Sequence, residues 1–192
     1  MEIELMPTAD LLATFYGDTT IDLLRAREGS VTDVLREARS GYGADFGSYA
    51  LACAAELLRR ATAEQLTRES LSAPSAVRDF LIAHFLGREY ESFVVICLDA
   101  QNRVIDSAEL FRGTLTQTSV YPREVVKHGL RFNAAAMIVA HCHPSGVAEP
   151  SRADEFLTST LKTALSMVDI KLLDHFIVAG GAVLSFAERG LL

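Results

Sequence analysis

The chain has 192 residues, 49% of them hydrophobic and 22% charged, enough for one sizeable core or for one main domain with a small appendage. Its formal net charge is -7, with 7 Lys/Arg against 12 Asp/Glu in residues 1–70 and 11 against 13 in the remainder, so neither part offers the clustered basic surface that nucleic acid demands. The acidic opening MEIELMPTAD is unlike a signal peptide, no apolar run reaches the roughly 18 residues of a membrane span, and the odd, widely spaced trio Cys53, Cys97 and Cys142 argues against a disulfide framework or an all-cysteine zinc site. The expected compartment is the cytoplasm.

Residues 8–68 place apolar side chains at helical spacing, broken at Gly17, Gly29 and SGYGADFGS (40–48). The polar stretch TRESLSAPSA (67–76) is the expected boundary between a helical region over 1–70 and a domain over 75–192. SAVRDFLIAHFLG predicts an amphipathic helix, capped by Ser72 or Ser75 and closed near Gly87. SFVVICLD (92–99) is a continuous apolar run of strand length, as in a strand buried on both faces. A second strand is expected over 102–111, after a turn at DAQN. Pro122 suits the first turn of a helix over 121–133. AAAMIVAHCH (134–143) predicts a central strand, SRADEFLTSTLKTALSMVD (151–169) a helix, and 171–188 a hairpin turning at Gly180 and Gly181. The sum is an α/β domain with a mixed β-sheet flanked by helices, preceded by a small helical N-terminal region.

Two of the 5 histidines stand one residue apart in HCHPSGVAEPSRAD (141–154). Strand alternation points His141 and His143 the same way and Cys142 the other. Pro144, Ser145 and Gly146 turn the chain. The next helix can then return Asp154, in its first turn, over the same edge. Two imidazoles and a carboxylate are a ligand set for catalytic zinc, with a fourth position open for water. A proton shuttle is also needed, and Glu89 and Glu91 before the 92–99 strand are the candidates. Plainer readings compete. Ser151-x-x-Asp154 is also a capping-box-like helix start, Ser145 could be only a turn residue, and Cys142 reads as a small buried hydrophobe rather than a nucleophile.

The conjunction of Glu91, His141-x-His143, seven residues, Ser151, two residues and Asp154 resembles the JAMM motif of the JAB/MPN metalloprotease family. The run from FRGTLTQTSVYPREVV to AHCHPSG, followed by PSRAD, DHFIVAGG and SFAERGLL, resembles the bacterial RadC branch over about residues 75–192. That branch usually has Asn between the histidines, where this chain has Cys142. The resemblance implies that His141, His143 and Asp154 hold Zn2+. It implies that Glu91 takes a proton from the zinc-bound water and passes it to the leaving amine, with Glu89 the runner-up. It implies that Ser151 hydrogen-bonds the oxyanion of the tetrahedral intermediate. Eukaryotic relatives cleave isopeptide bonds to ubiquitin, a substrate that does not transfer automatically. The expected partner is a peptide or protein substrate.

His175, on the strand near the C-terminus, is either a core histidine that orients a ligand or neighbouring loop or a further ligand; the first reading is favoured. His84 and His128 are expected as surface or boundary residues. RadC-like proteins usually carry a helix-hairpin-helix module ahead of the JAB domain, and Gly41-Tyr42-Gly43 occupies the place of its phosphate-binding turn. The basic residue expected shortly after that turn is absent, and Asp45 stands nearby. The module therefore reads as degenerate, with DNA binding weak or lost and a remaining role as a helical prop or a homodimer surface. Arg59 and Arg60 read as a solvated helix end. Two functions follow: a zinc-dependent metallopeptidase or isopeptidase, or a non-catalytic DNA-repair-associated or protein-binding module with a structural or vestigial metal site.

Overall fold

The computed structural model describes residues 46–68, 74–113 and 119–192, with the single position 13. The helices expected before residue 46, the Gly41-Tyr42-Gly43 turn with Asp45, and the proposed cap Ser72 lie outside the described residues. The chain divides into two compact units, Met1–Ala61 and Thr62–Leu192.

Helix α1 (Phe46–Arg68) is long and rich in alanine and leucine. In its middle, Glu56 receives Arg59 and Arg60, each at 2.8 Å. Hydrogen bonds from those two guanidinium groups hold the Glu56 carboxyl down at about 2. One carboxylate thus offsets part of the charge of both arginines, as spacings of three and four residues allow, and the pair lies within the helix rather than at the solvated helix end expected.

The second unit is built on one sheet. Helix α2 (Pro74–Phe85) leads into β1 (Ser92–Leu98), β2 (Val104–Arg112), α3 (Pro122–Arg131), β3 (Ala136–Cys142), α4 (Arg152–Ser166), β4 (Lys171–Ala179) and β5 (Ala182–Ser185). Helix α2 begins at Pro74, so Ser75 lies inside its first turn and cannot cap it. The strand order is β2-β1-β3-β4-β5. Strand β1 pairs antiparallel with both β2 and β3, β3 and β4 are parallel, and β5 returns antiparallel on β4. The mixed sheet follows from the connections: tight turns allow antiparallel neighbours, whereas parallel β3 and β4 need the crossover that α4 supplies.

Strands β1 and β3 are buried along their whole length, as expected of near-continuous apolar runs between two covered faces. Alternation divides them cleanly. Val94, Ile96, Ala136, Ile138 and Cys142 face one core with Val77, Phe80 and Leu81 of α2. Phe93, Val95, Met137 and Val139 face the other, with Val125 of α3 and Leu161 and Leu165 of α4. The hairpin turns at Gly180, whose φ of +60° glycine adopts without a Cβ penalty. No helix among the described residues is long and apolar enough to cross a membrane.

His84 corrects the expectation of a surface or boundary site. It is 8% exposed, wedged between the rings of Phe80 and Phe85, with Nε2 3.5 Å from the Glu109 carboxylate. His128 is a boundary residue, packed on Phe132 and 2.9 Å from Asp106.

Gly129 is where α3 meets the second core. A Cβ there would stand 2.8 Å from Ile170 Cδ1 and 3.0 Å from Met137 Sδ, both side chains themselves buried. Gly129→Ala gains about 1 kcal/mol of helix propensity but meets an overpacking cost of about 1–3 kcal/mol. The expected outcome is a melting temperature a few degrees lower, read by differential scanning calorimetry.

Candidate metal centre

Strand β3 carries His141 on the face shared with Phe93, its cross-strand partner. Just past the strand end, His143 keeps the ladder going through its N–H to the Val178 carbonyl at 2.8 Å. The two imidazoles therefore emerge side by side, with their Nε2 atoms 2.9 Å apart. Gly146, with φ of +80°, lets the chain reverse, and the reversal returns the Val147 carbonyl to within 2.8 Å of His143 Nδ1. A carbonyl only accepts, so His143 donates from Nδ1, and in its neutral form Nε2 is a bare lone pair.

Helix α4 starts directly over these rings. Ser151 is its N-cap and Asp154 its third residue, in a complete capping box. The Asp154 N–H reaches Ser151 Oγ at 3.2 Å, while Asp154 Oδ2 accepts from the Ser151 N–H at 2.7 Å and from its hydroxyl at 2.6 Å. The same carboxylate approaches the imidazoles, with Oδ1 3.2 Å from His141 Nε2 and Oδ2 3.8 Å from His143 Nε2. The capping and the metal-facing readings of Ser151 and Asp154 thus describe one geometry. Burial alone would raise the Asp154 pKa. The nearby His141 imidazole and the hydrogen bonds from Ser151 outweigh it and hold this carboxyl well below the usual range. The positive end of the helix favours the same ionised form.

His141, His143 and Asp154 each offer one donor atom, all within 4.8 Å of one another. Two neutral imidazole nitrogens and a carboxylate oxygen suit a borderline divalent ion such as zinc. All three line an open groove of about 590 Å³, from which a water would be free to complete the ligand set of a bound ion.

Glu91 also lines that groove. It precedes β1 by one residue, and continuing the Phe93–His141 pairing outward by one alternation sets it opposite His143. Burial raises its pKa, the two histidines lower it and Asp154 raises it, with a net rise. Glu89 is exposed and does not line the groove. Cys142 faces the other core, its thiol 3.4 Å from the Tyr90 carbonyl and 3.8 Å from Ser92 Oγ, and burial pushes its pKa up. Neither Cys142 nor Cys97, which burial takes to about 12, has the thiolate character of a nucleophile. All three cysteines are free.

His175 is fully buried and touches His141 rather than joining the ligand cluster. Its Nε2 is 2.8 Å from His141 Nδ1, its Nδ1 is 2.6 Å from Thr158 Oγ1, and its ring stacks on Phe186 at 4.7 Å. Sequence reasoning missed Thr158. Its spacing of four from Asp154, one helical turn on the same face, is the signal that could have found it.

A family model for the RadC-like JAB domain matches residues 71–191. The chain is 51% identical over 200 residues to a UPF0758 protein of Dechloromonas aromatica, covering 96% of this chain and 88% of the relative. It is 57% identical over 157 residues to one of Chromobacterium violaceum (81% and 70%), and 61% over 138 residues to one of Leptothrix cholodnii (71% and 62%).

Acidification tests the electrostatics of Asp154. A carboxyl with a depressed folded-state pKa contributes stability that is fully present above its unfolded value of about 4 and is lost as pH falls through the folded one. Urea unfolding of chelator-treated wild type and Asp154→Asn should show a stability gap that narrows as pH drops from about 6 to about 3.

Proposed function

The chain belongs to the RadC-like JAB domain family, and from that premise we propose that it is a zinc-dependent hydrolase of peptide or isopeptide bonds. The observation that carries the reading is the convergence of His141, His143 and Asp154 in a groove that Glu91 also lines. Bound there, zinc would supply Lewis-acid polarisation of a carbonyl and make water nucleophilic near neutral pH.

The chain's own residues supply the rest. Glu91 takes the proton of the attacking water and returns it to the leaving amine. Its burial-raised pKa suits a group that must both accept and release a proton. Ser151 is exposed at the groove rim, and its hydroxyl is the donor available to a developing oxyanion. In the ground state that hydroxyl donates its one proton to Asp154 Oδ2, so the proton must swing from the carboxylate to the oxyanion as the charge develops. The start of helix α4 fixes the positions of both residues, so the change is confined to a rotation of the Ser151 hydroxyl.

The groove walls narrow the substrate. Phe93, Val120, Pro122, Phe156 and Leu157 line it, and Phe156 is 75% exposed. Such walls favour an unfolded segment with a large apolar side chain beside the cleaved bond. A peptide library should show that preference, and Phe156→Ser should raise KM with kcat retained. Equal KM for the two proteins would remove Phe156 from substrate binding.

Metal analysis by plasma mass spectrometry should find about one zinc per chain, lost in His143→Ala. Glu91→Gln should keep the metal and lose about 10²–10⁴-fold in kcat. Undiminished hydrolysis by Glu91→Gln would remove Glu91 from the mechanism, and wild type that refuses zinc would sink the hydrolase reading.

A further inference from the structure

A threonine hydroxyl has one proton to give. Thr158 Oγ1 lies 2.6 Å from the carbonyl oxygen of Asp154, which can only accept, so the proton goes there. Oγ1 also lies 2.6 Å from His175 Nδ1. With the hydroxyl proton spent, that contact is a hydrogen bond only if Nδ1 carries hydrogen and donates. His175 is fully buried, and burial disfavours its charged form, so its ring has a single proton and Nε2 is an acceptor. His141 Nδ1 stands 2.8 Å from that acceptor and must be the donor. Reversing the chain would leave the Thr158 hydroxyl oxygen and the Asp154 carbonyl 2.6 Å apart with no proton between them, a repulsive contact.

We infer that Thr158 and His175 are positioning residues that pin the His141 proton on Nδ1 and so present its Nε2 to the metal position. The inference rests on the metal-centre reading and adds to it the device that prepares the ligand. His143 reaches the same state through the Val147 carbonyl. Two independent backbone carbonyls, those of Val147 and Asp154, thus dictate the tautomers of both imidazoles. The second route also ties the elements together. Thr158 sits on α4 one turn after Asp154, His175 on β4 and His141 on β3, so the carboxylate-bearing helix and the imidazole-bearing strand share one hydrogen-bonded chain. An outer partner that fixes a ligand's tautomer and orientation is typically worth about 10–100-fold in metal affinity.

The test has two readouts. The first is the two-bond nitrogen–proton correlation spectrum of ¹⁵N-labelled, chelator-treated protein at about pH 8, where free imidazole is neutral. His141 Nδ1 should carry a proton in wild type and lose that preference in His175→Phe. The second is zinc affinity by competition with a chromophoric chelator. His175→Phe keeps the stacking on Phe186 but removes the acceptor, and should weaken zinc binding about 10–100-fold. His175→Gln returns an acceptor oxygen near the former Nε2 and should recover most of the loss. Thr158→Val should weaken binding where Thr158→Ser does not, which keeps the question open to decision if His175→Phe fails to fold. An unprotonated Nδ1 on wild-type His141, or a folded His175→Phe with wild-type affinity, overturns the inference. Wild type that binds no zinc sinks the metal-centre reading, and the Nδ1 proton still decides the hydrogen-bond chain by itself.

Discussion

The period-two alternation of β3 is the constraint on which the rest depends. That strand is sealed on both faces, so each side chain is committed to one of two cores or to the open edge at its end. A shift of one residue would send both histidines into the layer under α2 and bring Cys142 to the groove. The register is held from two sides, by antiparallel β1 and parallel β4. Because β3 and β4 are parallel, their crossover helix must begin where β3 ends. The capping carboxylate of that helix therefore arrives where the imidazoles emerge.

The carboxylate's two tasks are compatible because they use the same ionised form. At the start of α4 an anion satisfies N–H groups that the helix leaves unpaired. Toward the groove the same charge meets His141 and His143. A site assembled this way is preorganised by secondary structure, without a flexible loop having to close before donors converge. The part of the motif without a regular element beneath it is the turn over 144–150, and there the Val147 carbonyl anchors His143.

Much of this was legible in the sequence, for identifiable reasons. The apolar runs at 92–99 and 134–143 are strands because both their faces are covered, and the glycine pair at 180–181 marks the hairpin. Strand alternation put His141 and His143 on one side, while the return of Ser151 and Asp154 over them rested on the motif spacing that the chain shares with the JAB/MPN family, because periodicity within an element does not set a helix over a strand. Three features were hidden. The N-terminus of α2 was misread because Ser75 resembles a cap, while Pro74 already opens the helix. His84 is buried beside Phe80 and Phe85 and meets Glu109 of β2 there, a long-range contact that no local pattern records. The Val147 and Asp154 carbonyls act through the backbone, where side-chain identity is silent.

Cys142 carries a consequence for how such a chain can drift. It sits between the two histidines, yet it belongs to the opposite layer, where the Tyr90 carbonyl and Ser92 hydroxyl surround its thiol. A substitution at this position therefore acts first on the packing beneath α2 and not on the groove. The sheet works as a partition between two histories. One layer is free to trade volume and polarity among its own neighbours, while the other is answerable to chemistry, and adjacent letters of the sequence can fall under different rules.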